Sequence, residues 1–311
     1  MDILVISGFL GAGKTTFIKE IIKKTKRDYC ILENEYGAIN IDSSTLSEDN
    51  NKDLKIYEFT EGCICCSSKG EFASSVLTIS NSLDPDYLIV EPTGVGYLSS
   101  ILNNLNKVKY ERIQVLNAIT IVDGQYFFSL LNNKDFKIDS CLEDQIKNAS
   151  YLIVSKNEIF SKGEKDLITN KLKKLNPNAI IINDKHYSEL DESFFKEILI
   201  NKEKKNASLI TSKVKPLDLT NFSIKKEINL TSVYQLISLL EDITRGFYGS
   251  INRAKGFIKI ESHIYHFELV NNKYTIEEFL NVNEVKFSEA VFIGFNIDKT
   301  GLRTRLVLNR K

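Results

Sequence analysis

The sequence predicts an α/β fold: a mostly parallel sheet covered by helices over residues 1–205, a linker over 206–216, and a small α+β domain over 217–311. Three observations carry this expectation. Short apolar runs alternate with longer stretches of helical spacing through the first two thirds of the chain. A glycine-rich loop joins the first apolar run to the first helical stretch. A polar, lysine-rich break at 201–205 and 213–216, closing on Pro216, separates this region from one of different patterning. At 311 residues the chain is long enough for two such domains.

The apolar runs at 3–6, 29–32, 87–90, 118–122, 151–154 and 179–182 read as buried strands, with a shorter one at 55–59. Residues 16–24, 71–82 and 165–175 space their apolar side chains as helices do. Strands alternating with helices in this way form parallel sheets buried on both faces. Past the break, 233–241 is spaced like a helix, while 256–260, 263–270 and 290–297 alternate or run like antiparallel strands.

Composition narrows the function. Lys plus Arg total 41 and Asp plus Glu total 41, a balance that argues against binding nucleic acid or anionic membrane through bulk electrostatics. With 42% hydrophobic and 26% charged residues, the chain is neither disordered, collagenous nor coiled-coil. No apolar run approaches the ~20 residues that span a bilayer, and the first residues lack a basic segment followed by a long apolar one, so a soluble cytoplasmic protein is expected.

Directly after the first strand, Gly8-Phe9-Leu10-Gly11-Ala12-Gly13-Lys14-Thr15 fits G-x-x-x-x-G-K-[ST] without a mismatch, between a strand and a helix as the motif requires. Its glycines let successive backbone N–H groups curl toward phosphate oxygens, and the helix beginning near Lys14 adds its positive end. The cradle comprises Gly8, Gly11, Ala12, Gly13, Lys14, Thr15 and Thr16. Lys14 is expected on the β- and γ-phosphates, with the Thr15 hydroxyl on Mg²⁺. The strand at 87–90 runs into Glu91-Pro92-Thr93-Gly94, which places Glu91 at its carboxyl end and a Gly94 N–H in the following loop, the position of a γ-phosphate sensor; a solvated Glu before a proline turn is the plain alternative.

The strand at 151–154 leads into Ser155-Lys156-Asn157-Glu158, close to N-K-x-D with Ser for Asn and Glu for Asp. A carboxylate at Glu158 accepts from guanine N1–H and the 2-amino group, whereas adenine N1 presents a lone pair. Glutamate carries one more methylene than aspartate, so the loop must sit back by about a bond length. A surface helix start capped by Ser155 is the competing reading.

Of five cysteines, Cys63, Cys65 and Cys66 fall within four positions, a poor disulfide framework and a good metal or redox candidate. In an extended segment Cys63 and Cys65 point the same way, and a turn brings Cys66 round. Three thiolates leave one tetrahedral position for water, a carboxylate or a client's ligand, which suits exchange rather than permanent structural binding. A redox thiol pair and inert buried cysteines are the alternatives. The histidines are His186, His263 and His266; the last two, three apart in a strand, face opposite ways and read as structural.

Together these residues resemble the CobW-type branch of the CobW/HypB/UreG GTPases, cytoplasmic P-loop proteins that act as metallochaperones or metal-insertase partners. Successive blocks match in order over nearly the whole chain: GFLGAGKTT at 8–16, NEYGAINID at 34–42, GCICC at 62–66, EPTG at 91–94 and RAKGFI at 253–258. GCICC behind a P-loop is the most specific, being similar to the C-x-C-C element that holds zinc or a related ion in that family. The resemblance implies a GTPase domain joined to a CobW-type C-terminal domain, places Glu35 and Asp42 in a first switch segment, and puts Gln145 in the helix before the base loop.

The expected mechanism has GTP and Mg²⁺ at Lys14, Thr15 and Glu91 order the switch segments, shaping Cys63, Cys65 and Cys66 for the ion until hydrolysis relaxes them. Glu35, Asp42 and Glu91 are the candidates to orient the attacking water, and turnover without a partner is expected to be slow. The cargo is Zn²⁺ first, with Co²⁺, Ni²⁺ or Cu⁺ also suited to thiolates. The implied partners are guanine nucleotide and a client metalloprotein, not nucleic acid or membrane; self-association is left open. Two other classes fit the nucleotide loop: an ATP-using small-molecule kinase, and a metal or thiol sensor that binds nucleotide without hydrolysing it.

Overall fold

The computed structural model describes residues 1–33, 55–58, 69–109, 112–132, 138–200, 219–225, 228–270, 272–279 and 287–307. These fall into two units, one up to residue 200 and one from 219.

In the first unit, strands β1 (Asp2–Gly8), β2 (Tyr29–Glu33), β3 (Lys55–Glu58), β4 (Tyr87–Glu91), β5 (Gln114–Val115), β6 (Ile119–Asp123), β7 (Tyr151–Ser155) and β8 (Ile180–Ile182) form one sheet. Its order is β3-β2-β4-β1-β6-β7-β8, every pair parallel, with β5 also beside β1. Helices α1 (Lys14–Thr25), α2 (Lys69–Ser82), α3 (Leu98–Val108), α4 (Gly124–Leu131), α5 (Ser140–Asn148) and α6 (Lys162–Leu175) lie between successive strands, and α7 (Glu192–Ile200) follows β8. The apolar runs are central strands because both faces are covered: β2, β6 and β7 are buried at every position. On one face Leu4, Ile6, Ile31, Ile89, Ile121 and Ile153 pack with Phe17 and Ile21 of α1 and Phe195 and Ile198 of α7. On the other, α5 contacts β1 and β6 and packs against α3 and α6. Each such Ile, Leu or Phe contributes about 1.5–3 kcal/mol by leaving water.

Pairing register decides what meets at the carboxyl edge. Glu33 of β2 is level with Glu91 of β4, Gly8 of β1 with Ile121 of β6, and Asp123 of β6 with Ser155 of β7. The nucleotide-loop strand thus lies between the strand ending in Glu91 and the strands leading to the Ser155 loop.

The second unit is a five-stranded antiparallel sheet of β9 (Leu219–Lys225), β10 (Ser250–Ile260), β11 (His263–Val270), β12 (Lys273–Glu278) and β13 (Glu289–Phe295), ordered β12-β11-β10-β13-β9. Leu236, Leu239, Leu240 and Ile243 of α8 (Val233–Thr244), with Leu302 and Leu306 of α9 (Lys299–Val307), form one core with Ala254, Ile258, Phe267 and Phe292 of the sheet. Strand β10 begins six residues before the apolar run at 256–260, because Arg253 and Lys255 occupy ladder positions opposite Val270 and Glu268 and so make the segment read as polar. His263 pairs with Glu278 at 2.6 Å and His266 packs on the Phe257 ring. Among the described residues no helix is long and apolar enough to cross a membrane.

Candidate nucleotide site

Gly13 holds the turn into α1 at φ 93°, a left-handed conformation that L side chains rarely adopt, and caps the helix without a side-chain acceptor. The first-turn N–H groups of α1 are thereby left for an anion, beside the Lys14 cation. Gly94 answers a different demand. A Cβ there would lie 2.6 Å from the Leu10 backbone N, so only glycine lets the loop after β4 press its backbone onto the phosphate loop.

Lys14 is buried at 8% exposure, and its Nζ lies 3.8 Å from Glu91 Oε1. Thr15 Oγ1 lies 3.1 Å and 3.2 Å from the two Glu91 oxygens and donates to that carboxylate. The structure therefore gathers an ammonium and a hydroxyl from the start of α1 and a carboxylate from the end of β4 at one point. Sequence reasoning missed Glu33, a second buried carboxylate level with Glu91 on the neighbouring strand. The apolar run at 29–32 ends one residue short of it; the usable signal was an acidic residue at the carboxyl end of a parallel strand.

The loop after β7 is tied to the phosphate loop by side chains. Ser155 Oγ donates to Ala12 O at 2.7 Å and to Val122 O at 3.3 Å. Lys156, with φ 53°, donates to Gly11 O at 2.9 Å and pairs with the buried Asp123 carboxylate at 2.6 Å. Asp123 in turn caps α4, accepting from Tyr126 N at 3.0 Å. Asn157 is fully buried and donates to Asn183 O and Lys185 O, which stitches this loop to the one after β8. Glu158 is left more than half exposed, 4.0 Å from His186 Nε2. Helix α6 begins at Lys162, where Ser161 and Glu164 form a reciprocal capping box, so the competing reading of Ser155 as a helix cap does not hold. Hydrogen bonds from Ser161 hold the Glu164 carboxyl below its usual value. Sequence reasoning also passed over Tyr187, a buried residue whose hydroxyl is pushed up by burial and partly lowered by the neighbouring Thr16 side chain.

Helix α5 grips the loop after β4. Gln145, fully buried, donates to Gly94 O at 3.2 Å and Gly96 O at 2.9 Å. Asp144 accepts from Ser99 N at 3.0 Å and Ser99 Oγ at 2.6 Å at the start of α3. Burial pushes the Asp144 carboxyl up, and the Ser99 hydrogen bonds partly oppose this.

Glu35, Asp42, Cys63, Cys65 and Cys66 lie outside the described residues; in sequence the thiols fall between β3 and α2. Cys30 and Cys141 are buried thiols. Among the described residues no three His, Cys, Asp or Glu side chains gather as a metal cluster.

Comparison with known proteins follows this division. Residues 2–183 match the model of the CobW/HypB/UreG nucleotide-binding domain, and residues 220–307 that of the cobalamin synthesis protein cobW C-terminal domain. The zinc chaperone YjiA of Escherichia coli K12 is 26% identical over 193 residues, covering 59% of this chain and 57% of that protein. The zinc chaperone YeiR of the same organism is 32% identical over 157 residues, covering 50% and 46% respectively. The chain spans about half the length of the curated relatives it matches. Among solved structures, Zn(II)-bound YjiA GTPase from E. coli aligns over 98% of this chain and 97% of its own, with 17% identity and a TM-score of 0.46. A P-loop between parallel strands, an acidic strand end beside it and a matched nucleotide-binding domain over more than half of the residues together establish that the chain belongs to the CobW/HypB/UreG family.

Proposed function

We propose that this chain is a GTP-hydrolysing metallochaperone, in which the state of the nucleotide sets how firmly a thiophilic divalent ion is held for transfer to a client metalloprotein. The observation that carries the reading is the meeting of Lys14, Thr15 and Glu91 at the end of two adjacent strands. Zinc is the first candidate cargo, since the curated relatives are zinc chaperones and thiolates suit it; Co²⁺ and Ni²⁺ are the alternatives. The GTPase domain is assigned to residues 1–205, the linker to 206–216 and the C-terminal domain to 217–311.

In this reading the N–H groups of Gly11, Gly13 and Lys14 line the phosphates, while the Ala12 N–H donates to Phe9 O at 3.1 Å and closes the loop, and the Lys14 ammonium neutralises the β- and γ-oxygens. Thr15 and Glu91 supply hydroxyl and carboxylate oxygens, the hard donors Mg²⁺ takes, and would hold it there. When bound, that ion neutralises charge on the β- and γ-phosphates. Gly94 presents its N–H to the terminal phosphate, with Gln145 fixing the loop that carries it. Ser155 and Lys156 brace the phosphate loop while Glu158 accepts from the guanine edge. Glu35, Asp42 and Glu91 remain the candidates for orienting water. Cys63, Cys65 and Cys66 hold the cargo ion on the segment between the phosphate-sensing elements.

Phosphate release measured side by side with GTP and ATP, with and without stoichiometric Zn²⁺, tests the assignment. Slow release from GTP that exceeds release from ATP, in a protein that also retains zinc through gel filtration, is the expected result. Equal use of ATP, or zinc retention unchanged when Cys65 and Cys66 are both replaced by Ala, would overturn it.

A further inference from the structure

We propose that His186 is a positioning residue for guanine recognition: it orients the Glu158 carboxylate, and so enforces the choice of guanine over bases lacking the 2-amino group. The inference rests on the reading above that Glu158 takes the base edge. It answers a question the sequence raises. Glutamate at this position has one more rotatable bond than the usual aspartate, and Glu158 is more than half exposed, so an unrestrained carboxylate would spread over several rotamers.

His186 has the geometry to restrain it. Its Nδ1 lies 2.6 Å from Ser188 Oγ and accepts from the Ser188 N–H at 3.3 Å, and the latter contact assigns Nδ1 as the acceptor and Nε2 as the protonated nitrogen of the neutral ring. Nε2 is the atom directed to Glu158, 4.0 Å from Oε1, an electrostatic contact that a small side-chain adjustment closes into a hydrogen bond. The ring is held from below by Tyr187, with centroids 4.0 Å apart, and Tyr187 is itself buried edge-on against Phe17 of α1, with centroids 5.5 Å apart. The loops carrying the two residues are fastened together by the buried Asn157 side chain, which donates to Asn183 O at 3.1 Å and to Lys185 O, the carbonyl just before His186. The His186 ring is therefore fixed relative to the loop that carries Glu158 by three anchors, Ser188, Tyr187 and Asn157.

The test compares GDP with inosine diphosphate, which differs only in lacking the 2-amino group that a carboxylate would accept from. Affinities are measured by calorimetry for the wild type, His186→Ala, His186→Gln, Glu158→Gln and the His186→Ala/Glu158→Gln double variant. A GDP preference of roughly tenfold or more is expected in the wild type. It should fall by about fivefold in His186→Ala with inosine diphosphate affinity held within about twofold, and largely return in His186→Gln, whose amide N–H reaches the place of Nε2–H. In the Glu158→Gln background His186→Ala should change nothing further. No preference in the wild type would refute the base-reading role of Glu158 itself. A wild-type preference kept intact in His186→Ala, or lost through an equal fall in both affinities, would overturn the role of His186 while leaving that reading standing.

Discussion

The two ends of the nucleotide site are built by different means. At the phosphate end, contiguous residues do the work: Gly13 turns the chain, α1 follows at once, and Lys14 and Thr15 meet Glu91 from the adjacent strand. At the base end, Ser155, Lys156 and Asn157 use side chains to fasten three separate loops, and Glu158 projects from the assembly. On the proposed reading, phosphate binding would thus rest on backbone shape together with the Lys14 and Thr15 side chains, all of which a short motif specifies. The proposed base reading would depend instead on residues that folding brings together from positions up to 145 apart.

Breaking the phosphate end should have the largest effect. Lys14→Ala is expected to lower GTP turnover about 10²–10³-fold, the cost of removing one charged donor aimed at developing transition-state charge, and a phosphate-release assay reads this. Gly94→Ala attacks the same end through shape: its methyl would meet the Leu10 backbone at 2.6 Å, and we expect about 1–3 kcal/mol of destabilisation by thermal melting, with turnover lost alongside.

Asp144 sharpens the comparison, because it holds the start of α3 behind the phosphate end by hydrogen bonds from Ser99. Its folded-state carboxyl is raised above its unfolded value by burial. The folded protein therefore binds that proton more tightly, and this group's contribution to stability falls as pH rises from about 4 upward through the raised value. Denaturant melts across that window should show wild-type stability declining relative to Asp144→Asn, which lacks the titration. The smallest effect is expected from Ser161→Ala, which removes the cap of α6 beyond the base loop and should cost about 1 kcal/mol in the same melts, without altering nucleotide affinity.

This contrast also explains what could be read in advance. Strands β2, β6 and β7 were legible because each is a short apolar run buried at every position, and the phosphate loop because its residues are adjacent, whereas the two-residue β5, with Gln114 in it, was not. The first half of β10 was not, since Arg253 and Lys255 sit on the sheet as charged residues. Glu33 escaped notice because an apolar-run criterion stops at Leu32, although its register places it level with Glu91 on the neighbouring strand. His186 and Tyr187 follow a three-residue edge strand with no motif of their own, and only the fold shows them next to Glu158 and Thr16. The resemblance places Gln145 in its helix but gives it no contact, and Asp144 carries no signal; only the fold shows Gln145 buried on the loop after β4 and Asp144 buried on the start of α3.

The central claim is that the terminal phosphate governs the grip on the cargo ion. Competition for Zn²⁺ against a chromogenic chelator, run on the full chain without nucleotide, with GDP and with a non-hydrolysable GTP analogue, tests it directly. The account predicts dissociation constants that differ by about tenfold or more between the GDP and GTP-analogue states, a coupling of ~1.4 kcal/mol, and loss of that difference in Cys65→Ala. One dissociation constant shared by all three states would contradict it.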